Sequence, residues 1–253
     1  MEAKNRSKSL FSPALTIILL AMVALISTFS SVRVQTQGNS SNKRQRVPDL
    51  ERWPVAEYNA TLPTDPAKRD KRQAKNKKYD KSNWPIVAND IADSTVRLHQ
   101  VNPDLPAFPV KQSTLIVIGQ IASASAYLSN DKTGVYSEFD VVVEEVLKNA
   151  IAEQPLVGSS IGVTREGGRI LFPTGRMHWY GIAKQSMPRF GGRYVLFLSG
   201  EGQEGLTILT GYELAAGNVL PLDDLNNPNK YLDADEATFL NSLRASISAP
   251  NLR

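Results

Sequence analysis

Residues 134–149 read GVYSEFDVVVEEVLKN, and the apolar side chains of Val135, Phe139, Val141 and Val143 fall on alternate positions, broken only by Ser137. Neighbours on a strand point to opposite faces, so Val135, Phe139, Val141 and Val143 share one face while Tyr136, Glu138, Asp140, Val142 and Glu144 share the other. The stretch is expected as the second arm of a β-hairpin. Its first arm is TLIVIGQIASASAYLS (114–129), apolar on both faces in its first half, and NDKTG (130–134) supplies the turn residues. Gly119 lies mid-strand, where a bulge or sharp coil is common. The small residues Ala122, Ser123, Ala124 and Ser125 let another segment approach closely.

The same pattern continues downstream. SSIGVTREGGRILFP (159–173) reads as a strand, a Gly-Gly turn and a short return, and PRFGGRYVLFLSG (188–200) as a Gly-Gly turn and a strand. GLTILTGYEL (205–214) is the next arm, and GNVLPL (217–222) a short edge strand. In DADEATFLNSLRASI (233–247), Phe239, Leu240, Leu243 and Ile247 keep helical spacing, with Asp233 as cap and Glu236 three residues on. Five or six short strands with glycine turns and one closing helix indicate a small sandwich or barrel.

Upstream of residue 113 the composition changes. Residues 1–32 carry Lys4, Arg6 and Lys8 ahead of an uncharged run from Ser9 to Val32, which fits a signal peptide or a transmembrane anchor. Either implies export, with the protein membrane-anchored through residues 10–32 or released to the periplasm or exterior. Residues 33–81 hold 13 basic and 6 acidic residues, mostly without an apolar face, and are expected to be a basic, disordered linker. Residues 82–112 are proline-rich, with Thr95–Leu98 as a short strand, and are expected to lie extended against the β domain of 113–248. The net charge of +4 therefore comes from the front of the chain, since residues 82–253 carry 13 basic against 18 acidic residues. Nucleic acid is disfavoured as a partner on that balance.

The absence of cysteine excludes disulfides, thiol catalysis and thiolate metal sites. Two histidines, His99 and His178, make no multi-histidine metal centre, and no cofactor is expected. Glu144 and Glu145 are strand neighbours and point apart, so they are not a glycosidase acid pair. The acids of 138, 140 and 144 are read as a solvated outer face.

Chemical variety concentrates in TREGGRILFPTGRMHWYG (164–181), which collects Arg165, Arg169, Arg176, His178, Trp179 and Tyr180. Arginine, tryptophan and tyrosine are the usual anchors of binding surfaces, and such a loop can grip a carboxylate, a phosphate or a sugar ring. Neither REGGR nor FGGR follows a strand and opens a helix, so neither is a phosphate loop, and no GxSxG or HExxH run occurs.

The order LIVIGQI, SNDKTGVYSEFDVVVEEVLKN, GSSIGVTREGG, GGRYVLFL, LTGYEL resembles a group of exported bacterial proteins without assigned function, across roughly residues 113–244. The strand plan is also similar to the OB-like barrel of netrin-like and metalloproteinase-inhibitor domains. That resemblance implies a mainly β fold, a small antiparallel OB-like barrel of five to six strands with a C-terminal helix. The inhibitors' zinc-binding N-terminal cysteine has no counterpart here, so inhibition by that route is not implied. The expected function is a non-enzymatic binding module of the cell envelope, its partner a protein or envelope polymer. The alternatives are a hydrolase of envelope polymers using Glu166 with His178, and an OB-type nucleic-acid binder, which the acidic outer strand disfavours.

Overall fold

The computed structural model describes residues 50–81, 94–97, 105–201, 205–224 and 230–249, all within the compact unit that begins at Pro48. The apolar span expected at 1–32 lies outside them. Among the described residues no helix is long and apolar enough to cross a membrane. After a 3-10 turn at Leu50–Arg52, the elements are β1 (Val55–Glu57), α1 (Pro66–Lys77), β2 (Ser94–Arg97), β3 (Leu115–Leu128), β4 (Val135–Asn149), β5 (Ser160–Glu166), β6 (Gly168–Leu171), β7 (Met177–Ile182), β8 (Arg193–Ser199), β9 (Thr207–Ala215), β10 (Asn218–Pro221), β11 (Ala234–Asp235) and α2 (Glu236–Ser248). The protein is mainly β, with two sheets and a C-terminal helix.

The larger sheet has the order β11-β10-β9-β5-β4-β3-β8, and β8 also pairs with β9. Its spine is the β3–β4 hairpin, from Leu128↔Val135 at the tip to Leu115↔Asn149 at the base. Register shifts at Ile116/Val117, Ile118/Gly119 and Ile121/Ser123 let this long hairpin coil. Gly119 permits a close approach within the hairpin, because a Cβ there would sit 2.6 Å from both Val141 Cγ1 and the Val142 carbonyl oxygen. The coil brings β8 round to β9, with Tyr194↔Glu213 to Ser199↔Thr207 in register. Between β5 and β9 the only paired residues are Thr164↔Thr207, in parallel sense. The expected barrel is therefore a strongly curled sheet rather than a cylinder closed by continuous pairing, and its strands outnumber the expected five to six.

The thin junction has a local cause. Gly167 and Gly168 were expected to make a hairpin turn, but β5 and β6 do not pair. Instead the two glycines, at φ 113° and 156°, turn the chain out of the larger sheet and into the smaller one, order β1-β6-β7-β2. The hairpin is between β6 and β7, and β1 and β2 flank it in parallel sense.

Burial follows from this arrangement. Leu115, Val117, Phe139, Val141, Val163 and Leu196 fill the inside of the curl. Ile116, Ile118, Val195 and Phe197, on the opposite face, pack against Phe239, Leu240 and Leu243 of α2. β3 and β8 are thus covered on both sides, which is why LIVIG and YVLFL are apolar without alternation. A third cluster, including Ala126, Val135, Ile170 and Tyr180, joins the small sheet to the hairpin tip. Helix α2 begins three residues later than expected. Asp233 has φ 59°, Ala234–Asp235 pair with β10, and Asp235 is the cap, accepting from Thr238 N at 2.9 Å.

The expectation of a linker through residue 81 is corrected by α1. Asp65 caps it, accepting from Lys68 N at 2.9 Å, and Pro66 opens it. The helix has no apolar stripe, yet it docks. Arg72 makes two bonds to the Glu138 carboxylate, at 2.8 and 3.1 Å, and a third at 2.9 Å to Tyr136 Oη. Tyr136 in turn donates to Asn76 Oδ1 at 2.7 Å. Just past the helix, the Tyr79 ring stacks on Tyr136 with centroids 4.2 Å apart. Charge and aromatic contact do here what an apolar stripe does elsewhere.

Candidate functional site

The six residues singled out in 164–181 sit on β5, β6, β7 and the turn between the last two, and strand alternation divides them. Arg165, His178 and Tyr180 are buried. Arg169 and Trp179 are half-buried on the other face of the small sheet, and Arg176 is exposed in the turn. They are two sets back to back, not one converging site.

The buried set is largely structural. Arg165 is 1% exposed and forms an ion pair, through Nη2, with Oδ1 of Asp223, which is 4% exposed. Asp223 Oδ1 also accepts from Ser186 N at 3.0 Å. Tyr180 Oη lies 3.4 Å from Glu166 Oε1, and both Glu166 oxygens are held by Lys81 Nζ at 2.6 and 2.7 Å. The His178 ring lies edge-on to Phe172 with centroids 6.2 Å apart. Lys81 thus occupies both oxygens of the Glu166 carboxylate.

On the outward face, Arg169 and Trp179 are direct cross-strand partners, and Val55 pairs with Arg169 on its other side. Such partners have Cβ atoms about 5 Å apart. Arg169 Nε donates to the carbonyl of Trp53 at 2.7 Å, which fixes the plane of the guanidinium. The Trp53 ring lies beneath this corner, where a Cβ on Gly181 would meet it at 3.0 Å. The β6–β7 turn is closed by Phe172 N to Arg176 O and by Gly175 N to Phe172 O, both at 2.9 Å, with Gly175 at φ 80°. That turn leaves Arg176 exposed. The arrangement offers one anchored guanidinium and an indole on one face, chemistry suited to an anionic or ring-bearing partner.

Of the β4 acids read as solvated, Glu138 and Glu144 have cationic partners, as does Glu145, while Asp140 accepts from Ser123 Oγ. Glu138 is held by Arg72 and, at 3.2 Å, by Lys75. Glu144 takes a bond from Arg193 at 2.6 Å, and Glu145 takes two from Arg244 at 2.9 and 3.0 Å. No group of three or more metal-ligating side chains occurs among the described residues. Sequence reasoning missed Asp223, Trp53 and Lys81, which lie 58, 116 and 85 positions from their partners Arg165, Arg169 and Glu166. Only the uneven charge of the front segment hinted that its cations had somewhere to go.

No family model matches the sequence, and no curated protein matches it.

Proposed function

We propose that this chain is a non-enzymatic binding module, exported and tethered by its N-terminal segment, that holds an anionic protein or envelope polymer on the outer face of its small sheet. The observation that carries the reading is the anchored guanidinium of Arg169, fixed through Nε by Trp53 and set beside Trp179. An arginine pre-oriented by one nitrogen keeps less freedom to lose when the others engage a carboxylate or phosphate.

An OB-like strand order is what we assign to the larger, curled sheet. The strands β3, β4, β5, β9 and β8 follow one another in that spatial order, with the parallel junction between the third and the last in sequence, which supports the assignment. Weighing against hydrolysis is the Lys81 grip on Glu166. Weighing against nucleic acid is the charge balance of residues 82–253, with 13 basic against 18 acidic residues.

The reading is tested with the full chain against phosphate-bearing and uronate-bearing polymers and a matched neutral glycan. Binding should favour the charged polymers and weaken as salt rises. Arg169→Met with Trp179→Ala should weaken it about tenfold or more. Unchanged binding by that variant sinks the site, and a hydrolytic activity lost in Glu166→Gln would restore the enzyme reading.

A further inference from the structure

Arg165 and Asp223 form a buried pair whose bonding is incomplete. The guanidinium engages Asp223 through Nη2 alone. Nε and Nη1 of Arg165 and Oδ2 of Asp223 are buried and have no protein partner. The neighbouring chain cannot easily supply one. The reversal at 183–187 is pinned by Asp224 N to Lys184 O at 2.9 Å and by Gln185 Nε2 to Glu166 O at 2.6 Å. Ser186 N is already spent on Oδ1 of Asp223. Lys184 sits at φ 66°, which marks a tight path.

We infer that these unmet groups hold an internal water, which bridges Arg165 to Asp223. The choice of ligand follows from charge and from donor count. The pair is already neutral, so an added anion would carry an uncompensated charge into the interior and face Oδ2 of Asp223. A cation would leave the guanidinium N–H groups unmet. The site needs a small neutral molecule that accepts from Nε or Nη1 and donates to Oδ2, and water does both. Buried polar groups left without partners are costly, whereas a water with two to four polar neighbours is a stable part of a fold. The bound water would tie β5 to the segment after β10, beneath the 183–187 reversal, independently of what the outer face of the small sheet binds.

The test uses the full chain. Water-to-amide cross-relaxation at Ser186 N–H should show a water resident for longer than about a nanosecond, the threshold set by side-chain and loop motion. Oxygen-17 relaxation should show long-lived water that is lost in the double variant Arg165→Met with Asp223→Leu. A crystal soaked in bromide should show water oxygen, not halide, in contact with both side chains. Bromide at the site overturns the inference. So does a wild-type protein with no long-lived water at Ser186, a measurement that stands even where the double variant fails to fold.

Discussion

Tyr79 donates its hydroxyl hydrogen to Thr164 Oγ1 at 2.8 Å, across 85 positions of sequence. Its neighbour Lys78 reaches Thr207 Oγ1 at 2.6 Å. Thr164 and Thr207 are the one pair joining β5 to β9. The basic arm thus ends in a clasp over the thinnest junction of the curled sheet. Its backbone is close as well, since a Cβ on Gly134 would collide with the Tyr79 carbonyl oxygen and Lys81 N donates to Thr133 Oγ1 at 2.6 Å.

The folding unit should therefore begin upstream of α1. A fragment of 82–253 is expected to melt well below one of 48–253, because it lacks every contact of the clasp. Within the full chain, Tyr79→Ala should cost about 3–5 kcal/mol, as other buried aromatic truncations do, a fall of roughly 10 °C for a domain of this size. Tyr79→Phe removes only the hydrogen bond and should cost about 1 kcal/mol. Calorimetry on the four proteins checks the order, and equal melting of the two fragments would show that α1 is an ornament.

Alkali should loosen the same region. Burial pushes the Tyr79 phenol up to about 12, and it raises Tyr136 and Tyr212 as well. A phenol with a raised folded-state pKa resists ionisation in the native protein, while the unfolded chain ionises near pH 10. Stability is then fully present below pH 10 and declines as pH rises through about 12, since over that window the unfolded state releases more protons. Tyrosinate absorbance followed with far-ultraviolet dichroism should show these phenols titrating together with unfolding. Titration of all eight tyrosines near 10 in a folded protein contradicts the assigned burial.

What the sequence disclosed, and what it withheld, follows from the range of the forces involved. Alternation located β4, and unbroken apolar runs bounded by glycine turns located β3 and β8, because both signals are local to the strand. Gly119 was legible as a bulge because only one residue type allows so close an approach. Helix α1 was not legible, since PAKRDKRQAKNK shows no stripe and its partners Tyr136 and Glu138 lie far along the chain. Gly167–Gly168 looked like a hairpin turn because local sequence gives the bend but not which sheet receives the next strand. The site fared similarly. Residue types in 164–181 were suggestive, but parity sends Arg165 and Tyr180 inward and Arg169 and Trp179 outward.

Arg72 and Glu138 should be coupled. Burial works against the Arg72 charge, yet the bonds to Glu138 and Tyr136 more than offset it, and its pKa lies above the ordinary value. Both side chains are less than a fifth exposed. A double-mutant cycle with Arg72→Met and Glu138→Gln should give a coupling of about 1 kcal/mol, above that of an ordinary surface pair. Urea denaturation in low and moderate salt measures it. Additive single effects would mean that the Arg72–Glu138 pair adds nothing to the helix's other contacts, among them those of Arg72 and Asn76 with Tyr136.

Gly168 carries the corner between the two sheets, and Gly168→Ala tests it. Its φ of 156° disfavours a side chain, and a Cβ would sit 3.0 Å from Val135 Cγ1, 3.1 Å from Ala126 Cβ and 3.2 Å from Ser137 Oγ. Ser137 cannot easily yield, because its hydroxyl donates to the Gly167 carbonyl at 2.7 Å. Backbone strain and crowding together should cost more than about 1 kcal/mol. Gly158→Ala is the control, since Gly158 also has positive φ, at 83°, but open space around it. If crowding matters beyond strain, Gly168→Ala must lower the urea midpoint further than Gly158→Ala does, with the denaturant slope unchanged. Equal shifts would reduce the corner to a matter of backbone preference and leave the packing of the small sheet on the hairpin tip without energetic weight.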